Sequence, residues 1–297
     1  MLSADGRGEC GSRTVAERRF GTHNQGERVE AGGLSFPRIG LGTFNLSDEQ
    51  AYDLSLAALE LGYRHLDTAI LYQNEAGVGR AVRDSGLPRS EVLVTTKIPR
   101  QRAAAADARA AGLESLARLD CGYIDLLLLH WPSPEIEVEE TVEAMAGLVA
   151  DGVTRAIGLS NPPPSLLKRA LAVAPLANVQ VEHHPYLRQD TLHALVDEHG
   201  LSLTAYSPLA QGKIFSDPVL VRLAAKYGVT VGQLTLGWLR SKPRTLIIPK
   251  TAHVERLAEN LAVPALDLEP DDLASIEALG YRNERIFDPP WGQDWEE

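Results

Sequence analysis

Asp67, Tyr72, Lys97 and His130 are the residues of this chain whose types and placement can do chemistry together. The apolar run 64–66 leads into Asp67, the run 92–96 into Lys97, and the run 124–129 into His130. Tyr72 follows Asp67 closely enough to return to the same place from the connecting loop. If the runs are neighbouring parallel strands, an acid, a lysine and a histidine meet at one end of a sheet. The set suits proton delivery to a carbonyl under hydride attack, because the alkoxide that forms needs a proton. Tyrosine ionises near 10 in water, so efficient acid–base exchange at neutral pH needs help. A Lys97 ammonium nearby favours the phenolate and is expected to lower that pKa. Asp67 would keep Lys97 charged and oriented, and His130 would donate a hydrogen bond to the carbonyl oxygen.

The elements that must position these residues follow from the hydrophobic pattern. Short strands are predicted over 39–42, 64–67, 92–96, 124–129, 154–159, 178–181, 201–205 and 245–248, each followed by a helical segment. Ser47 caps the first helix, and the seventh strand is followed by two helices, 218–227 and 231–239. Fully apolar strands such as 126–129 suit a parallel sheet covered by helices on both sides. Eight strand–helix units in about 250 residues match a (β/α)8 barrel, which sets chemistry at the C-terminal strand ends. An open doubly wound sheet is the alternative, although no G-x-G-x-x-G follows the first strand.

Residues 1–32, rich in Gly, Arg, Glu and Ser without apolar periodicity, read as a disordered tail, leaving 33–297 as a single barrel domain. A formal net charge of −11 argues against nucleic-acid or anionic-membrane partners. Only Cys10 and Cys121 are present, no apolar run reaches about 20 residues, and the N-terminus lacks the apolar centre of a secretory signal. These features fit a cytoplasmic monomer with a small-molecule substrate. His183 and His184 are adjacent, so on a strand they point to opposite faces and do not share a metal ion. No metal site is expected.

The segment Gly62-Tyr63-Arg64-His65-Leu66-Asp67-Thr68-Ala69, with Tyr72 and Asn74-Glu75, resembles the first signature of the aldo-keto reductases. Lys97 after Thr95-Thr96, and His130 in Leu-His-Trp-Pro, match the rest of that family's tetrad, and the similarity runs from Gly40 to Trp295. The resemblance implies a (β/α)8 barrel and metal-free carbonyl reduction with NADPH. It places Lys250, Thr251 and Arg256 at the adenosine 2′-phosphate, and Glu259 and Asn260 near the adenine. Physical chemistry agrees there, since a helix N-terminus flanked by a lysine and an arginine suits a phosphate. By the same resemblance Ser160, Asn161 and Gln180 bind the nicotinamide carboxamide, and Tyr206 stacks on the ring. Ser207 and Leu209 line the pyrophosphate, and Gly42, Thr43 and Asp67 join the cofactor set. Three prolines, Pro162 to Pro164, stand where the family more often places an aromatic.

Phe44, Tyr72, His130, Trp131 and Trp291 are the candidates for contact with the substrate, with Trp291 equally able to pack the tail on the barrel. Short loops after His130 and Asn283 favour small polar carbonyls over steroids. The chain is most similar to the bacterial 2,5-diketo-D-gluconate reductases, which also reduce methylglyoxal. Two other functions fit parts of the pattern. Lys97 could act as the nucleophile of a Schiff-base aldolase, or the fold could serve as a non-catalytic NADPH sensor.

Overall fold

Two short strands, β1 (Arg28–Ala31) and β2 (Leu34–Pro37), pair antiparallel across a turn at Gly32-Gly33 before the main sheet begins. The computed structural model describes residues 27–292 and 294–296, so most of the stretch read as a tail lies outside the described residues. Its last part is not tail, however. Arg28 to Ala31 alternate exposed and buried, a period-two pattern too short to stand out in a polar stretch.

The remaining chain alternates as expected: β3 (Leu41–Gly42), α1 (Asp48–Leu61), β4 (His65–Asp67), α2 (Glu75–Asp84), β5 (Leu93–Ile98), α3 (Ala105–Leu119), β6 (Ile124–Leu129) and α4 (Val138–Ala150). It continues with β7 (Thr154–Ser160), α5 (Pro164–Val173), β8 (Asn178–Glu182), α6 (Asp190–His199), β9 (Ser202–Tyr206), α7 (Pro218–Tyr227), α8 (Val231–Ser241), β10 (Thr245–Ile247), α9 (Val254–Leu261) and α10 (Pro270–Leu279). Strands β3 to β10 pair in parallel in sequence order. The two ends of this sheet also meet. Ile39 bridges Ile247, Gly40 N donates to Ile247 O at 2.9 Å, and Ile247 N donates to Arg38 O at 2.9 Å. The sheet is therefore a closed (β/α)8 barrel forming one domain, and the open-sheet alternative does not hold.

Local chemistry explains the boundaries. Ser47 Oγ accepts from Gln50 N while Gln50 returns the bond to Ser47 N, a capping box that starts α1. Gly62, at φ 107°, ends α1 in the left-handed region that L side chains rarely adopt. Outward strand residues such as Leu127 and Leu129 pack under the helices. Inside the barrel, Leu93, Leu126, Leu128, Ala156 and Leu246 pack with Val29, Leu34 and Phe36, so the hairpin plugs the N-terminal end. No described helix is long and apolar enough to cross a membrane.

Candidate active site

Side chains alternate along a strand, so Asp67 shares the interior face of β4 with His65, Lys97 that of β5 with Thr95, and His130 that of β6 with Leu128. The register sets Asp67 opposite Thr95, one interior position before Lys97, so both side chains reach the C-terminal end of the barrel. Lys97 Nζ donates to Asp67 Oδ1 at 2.5 Å and to Thr68 O at 2.7 Å, with both side chains buried. Across the barrel, Gln180 Nε2 donates to Asp67 Oδ2 at 2.7 Å. Burial alone would discharge the lysine, yet the Asp67 carboxylate and Tyr72 beside it raise the Lys97 pKa above its ordinary value. A permanently charged, doubly bonded ammonium is a poor nucleophile, which counts against the Schiff-base alternative.

Tyr72 arrives from the 3₁₀ turn Ile70–Tyr72. Lys97 Nζ lies 5.0 Å from its ring centroid, and the His130 ring stands edge-on to it at 5.6 Å. One expectation needs correcting. Lys97 does pull the Tyr72 pKa down, but desolvation of the phenol outweighs it, and the net shift is upward. Tyr72 is thus held as a neutral phenol. His130 lines the cavity from a largely enclosed position. Desolvation, reinforced by the Lys97 charge, lowers its pKa to about 3, so the imidazole is neutral at physiological pH. Its Nδ1 has no hydrogen-bond partner among the described residues.

These groups open on a cavity of about 320 Å³. Gly42, Phe44, Asp67, Tyr72, His130, Trp131, Ser160, Asn161, Gln180, Tyr206, Ser207 and Lys250 line it, all of them singled out by the sequence. Leu71, Ile248 and Phe287 line it too and were missed. A Cβ on Gly42 would stand 3.0 Å from Ile248 O, so glycine keeps this wall open. Asn161, at φ 59°, donates through Nδ2 to His130 O at 3.1 Å and accepts from Tyr206 Oη at 2.8 Å. The three prolines that follow Asn161 do not displace it from the cavity.

Other candidates stand outside the cavity. Thr43 lies behind it, its N and Oγ1 both donating to Asp67 O at 3.0 Å. Leu209 packs against the core and does not line the cavity. Trp291 does not line it either; its ring sits edge-on to Trp131 at 5.4 Å, so it acts through packing on a lining residue. Thr251 is buried and accepts at Oγ1 from His253 N at 2.9 Å, shaping the turn into α9. Glu259 accepts from Thr230 Oγ1 at 2.8 Å, and Asn260 is buried beside it. The two histidines diverge: His184 Nε2 lies 2.8 Å from Glu182 Oε1, while His183 Nδ1 lies 3.0 Å from Leu187 O.

The model of the aldo/keto reductase family matches residues 38–280, nearly the whole barrel. The chain belongs to the aldo/keto reductase family. As an aldo/keto reductase it is an oxidoreductase, and its relatives are consistent with that. Methylglyoxal reductase DkgB of Escherichia coli O157:H7 is 39% identical over 261 residues, covering 86% of this chain and 97% of the relative. The 2,5-diketo-D-gluconic acid reductase B of a Corynebacterium species is 40% identical over 255 residues, covering 83% and 90%. Among solved aldo/keto reductases, the Bombyx mori enzyme in complex with NADP superposes with a TM-score of 0.80 at 30% identity, covering 88% of this chain and 95% of that one.

Proposed function

We propose that this aldo/keto reductase uses NADPH to reduce small polar dicarbonyls, of the kind represented by methylglyoxal and 2,5-diketo-D-gluconate, with Tyr72 as general acid. The observation that carries the reading is the buried Asp67–Lys97 pair packed beneath Tyr72 and next to a neutral His130.

The residues present fit the cofactor. Lys250 and Arg256 flank the start of α9 and, among the described residues, pair with no carboxylate. A helix N-terminus between two cations suits a 2′-phosphate, with Thr251 shaping the turn and Glu259 and Asn260 on the same helix. Ser160, Asn161, Gln180, Tyr206, Ser207 and Gly42 supply polar, aromatic and open walls for the nicotinamide end. When bound, NADPH supplies the hydride.

The protein's own groups handle charge and proton. His130, neutral, donates an N–H to the carbonyl oxygen and fixes its direction. Tyr72 Oη gives its proton to the alkoxide oxygen as it forms, and the phenolate left behind is stabilised by the Lys97 ammonium. Asp67 holds that ammonium in place, anchored in turn by Gln180. Phe44, Trp131 and Phe287 leave a cavity sized for a short carbonyl compound. Action on small molecules in the cytoplasm, without nucleic-acid or membrane partners, is supported by the charge of −11 and the free, buried Cys121.

The test is steady-state NADPH oxidation with methylglyoxal and with 2,5-diketo-D-gluconate. Tyr72→Phe should lower kcat about 10²- to 10⁴-fold. Arg256→Ala should leave kcat alone and raise the NADPH KM about tenfold, close to 1.4 kcal/mol of lost binding. Near-full turnover by Tyr72→Phe would sink the mechanism, and no wild-type turnover on either carbonyl would sink the substrate class.

A further inference from the structure

The end of β8 carries a buried carboxylate that the chemistry above does not use. Glu182 is wholly enclosed. Its Oε1 accepts from Ile286 N at 2.7 Å and its Oε2 from Phe287 N at 2.8 Å. His184 Nε2 lies a further 2.8 Å from Oε1. All three contacts are nitrogens aimed at one group, and a carboxylate is the side chain that can accept at both oxygens without offering a hydrogen of its own. The segment it grips is the C-terminal tail, held just upstream where Glu284 N donates to Tyr186 O at 2.9 Å. Phe287 is the payload. Its ring stands edge-on to Tyr206 at 5.7 Å and to Phe44 at 6.0 Å, and it lines the cavity.

We propose that Glu182 is a positioning residue for the carbonyl site: its carboxylate clamps the tail backbone at Ile286 and Phe287 and so fixes the Phe287 ring as a wall of the cavity. The inference rests on the reading that this cavity receives the carbonyl. Proton transfer takes place at Tyr72, away from the clamp, so loosening it affects capture of the carbonyl more than the chemical step. Glutamine at 182 keeps the shape but turns an N–H₂ group either toward Phe287 N or toward Ile286 N and His184 Nε2. The clamp opens on that side.

The test compares wild type, Glu182→Gln, Phe287→Ala and the double variant, with methylglyoxal as the probe. Each single variant should raise the methylglyoxal KM about tenfold with kcat within about twofold, a split that reports lost binding and not lost transition-state chemistry. The double variant should be no worse than Phe287→Ala, because one residue acts through the other. Ile286→Pro, which removes one gripped N–H while keeping Glu182 and Phe287, should reproduce the rise. An unchanged KM in Glu182→Gln, or effects that multiply fully in the double variant, would overturn the clamp. Trypsin cleavage after Arg285 gives a reading independent of turnover. It should accelerate in Glu182→Gln, and an unchanged rate overturns the clamp even if methylglyoxal proves to be the wrong carbonyl.

Discussion

The two ends of the barrel are closed in opposite ways. At the N-terminal end the hairpin drives Val29, Leu34 and Phe36 among Leu93, Leu126 and Leu246, an apolar plug with no charge to satisfy. At the C-terminal end the interior holds a carboxylate, an ammonium, a phenol and an imidazole around a cavity walled by Phe44, Trp131 and the tail residue Phe287. The plug gains from burying apolar surface, whereas the open end spends stability on desolvating polar groups. One barrel can do both because its strands run from one end to the other and each side chain's depth decides which task it serves.

Substitutions that act on one end alone test this division. Phe36→Ala should have the largest effect, destabilising the fold by about 3–5 kcal/mol through lost contacts and a cavity, with kcat of the folded enzyme unchanged. Urea unfolding and single-substrate kinetics on the same sample check both halves. His130→Ala should do the reverse, lowering kcat about 10²- to 10³-fold as a hydrogen-bond donor to the carbonyl is lost, while the unfolding midpoint holds. A matching loss of stability in His130→Ala would erase the contrast. A further effect, read in pH and not in a substitution, is shared by both ends. His65, beside the plug, has its pKa lowered to about 4 by burial, and His130 at the open end to about 3. The unfolded chain takes up these protons near pH 6.5 and the folded chain does not. Stability is therefore full above that pH and is lost as pH falls, by about 1.4 kcal/mol per pH unit for each such histidine. The urea midpoint should fall from pH 6.5 toward 4, and His65→Gln should flatten that slope.

Most of the barrel was legible because its signals are local. Helix α7 begins and ends at 218–227 as the pattern places it, and the largely apolar β6 reads as a covered parallel strand. Barrel closure was harder to read, since it depends on Arg38 to Gly40 meeting Ile247, some two hundred residues away. The tetrad was visible because Asp67, Lys97 and His130 each end a strand-like run and Tyr72 follows Asp67 within one short loop. Phe287 was not, because it lies in an irregular tail whose path is set by Glu182, a residue overshadowed by the adjacent histidines. The Tyr72 expectation went astray because the sequence shows the lysine but not how much water the phenol loses on burial.

The hairpin and the clamped tail also place the two ends of the described chain at opposite poles of the barrel. An affinity tag or a fused partner enzyme attached ahead of the hairpin would hang from the plugged pole, where substrate never passes. The same addition after Trp295 would pull on the strand of chain that Glu182 holds, and would weigh on the mouth through which carbonyl compounds enter. Anyone coupling this reductase to a second enzyme or to a surface should therefore join it from the front of the chain and leave its rear untouched.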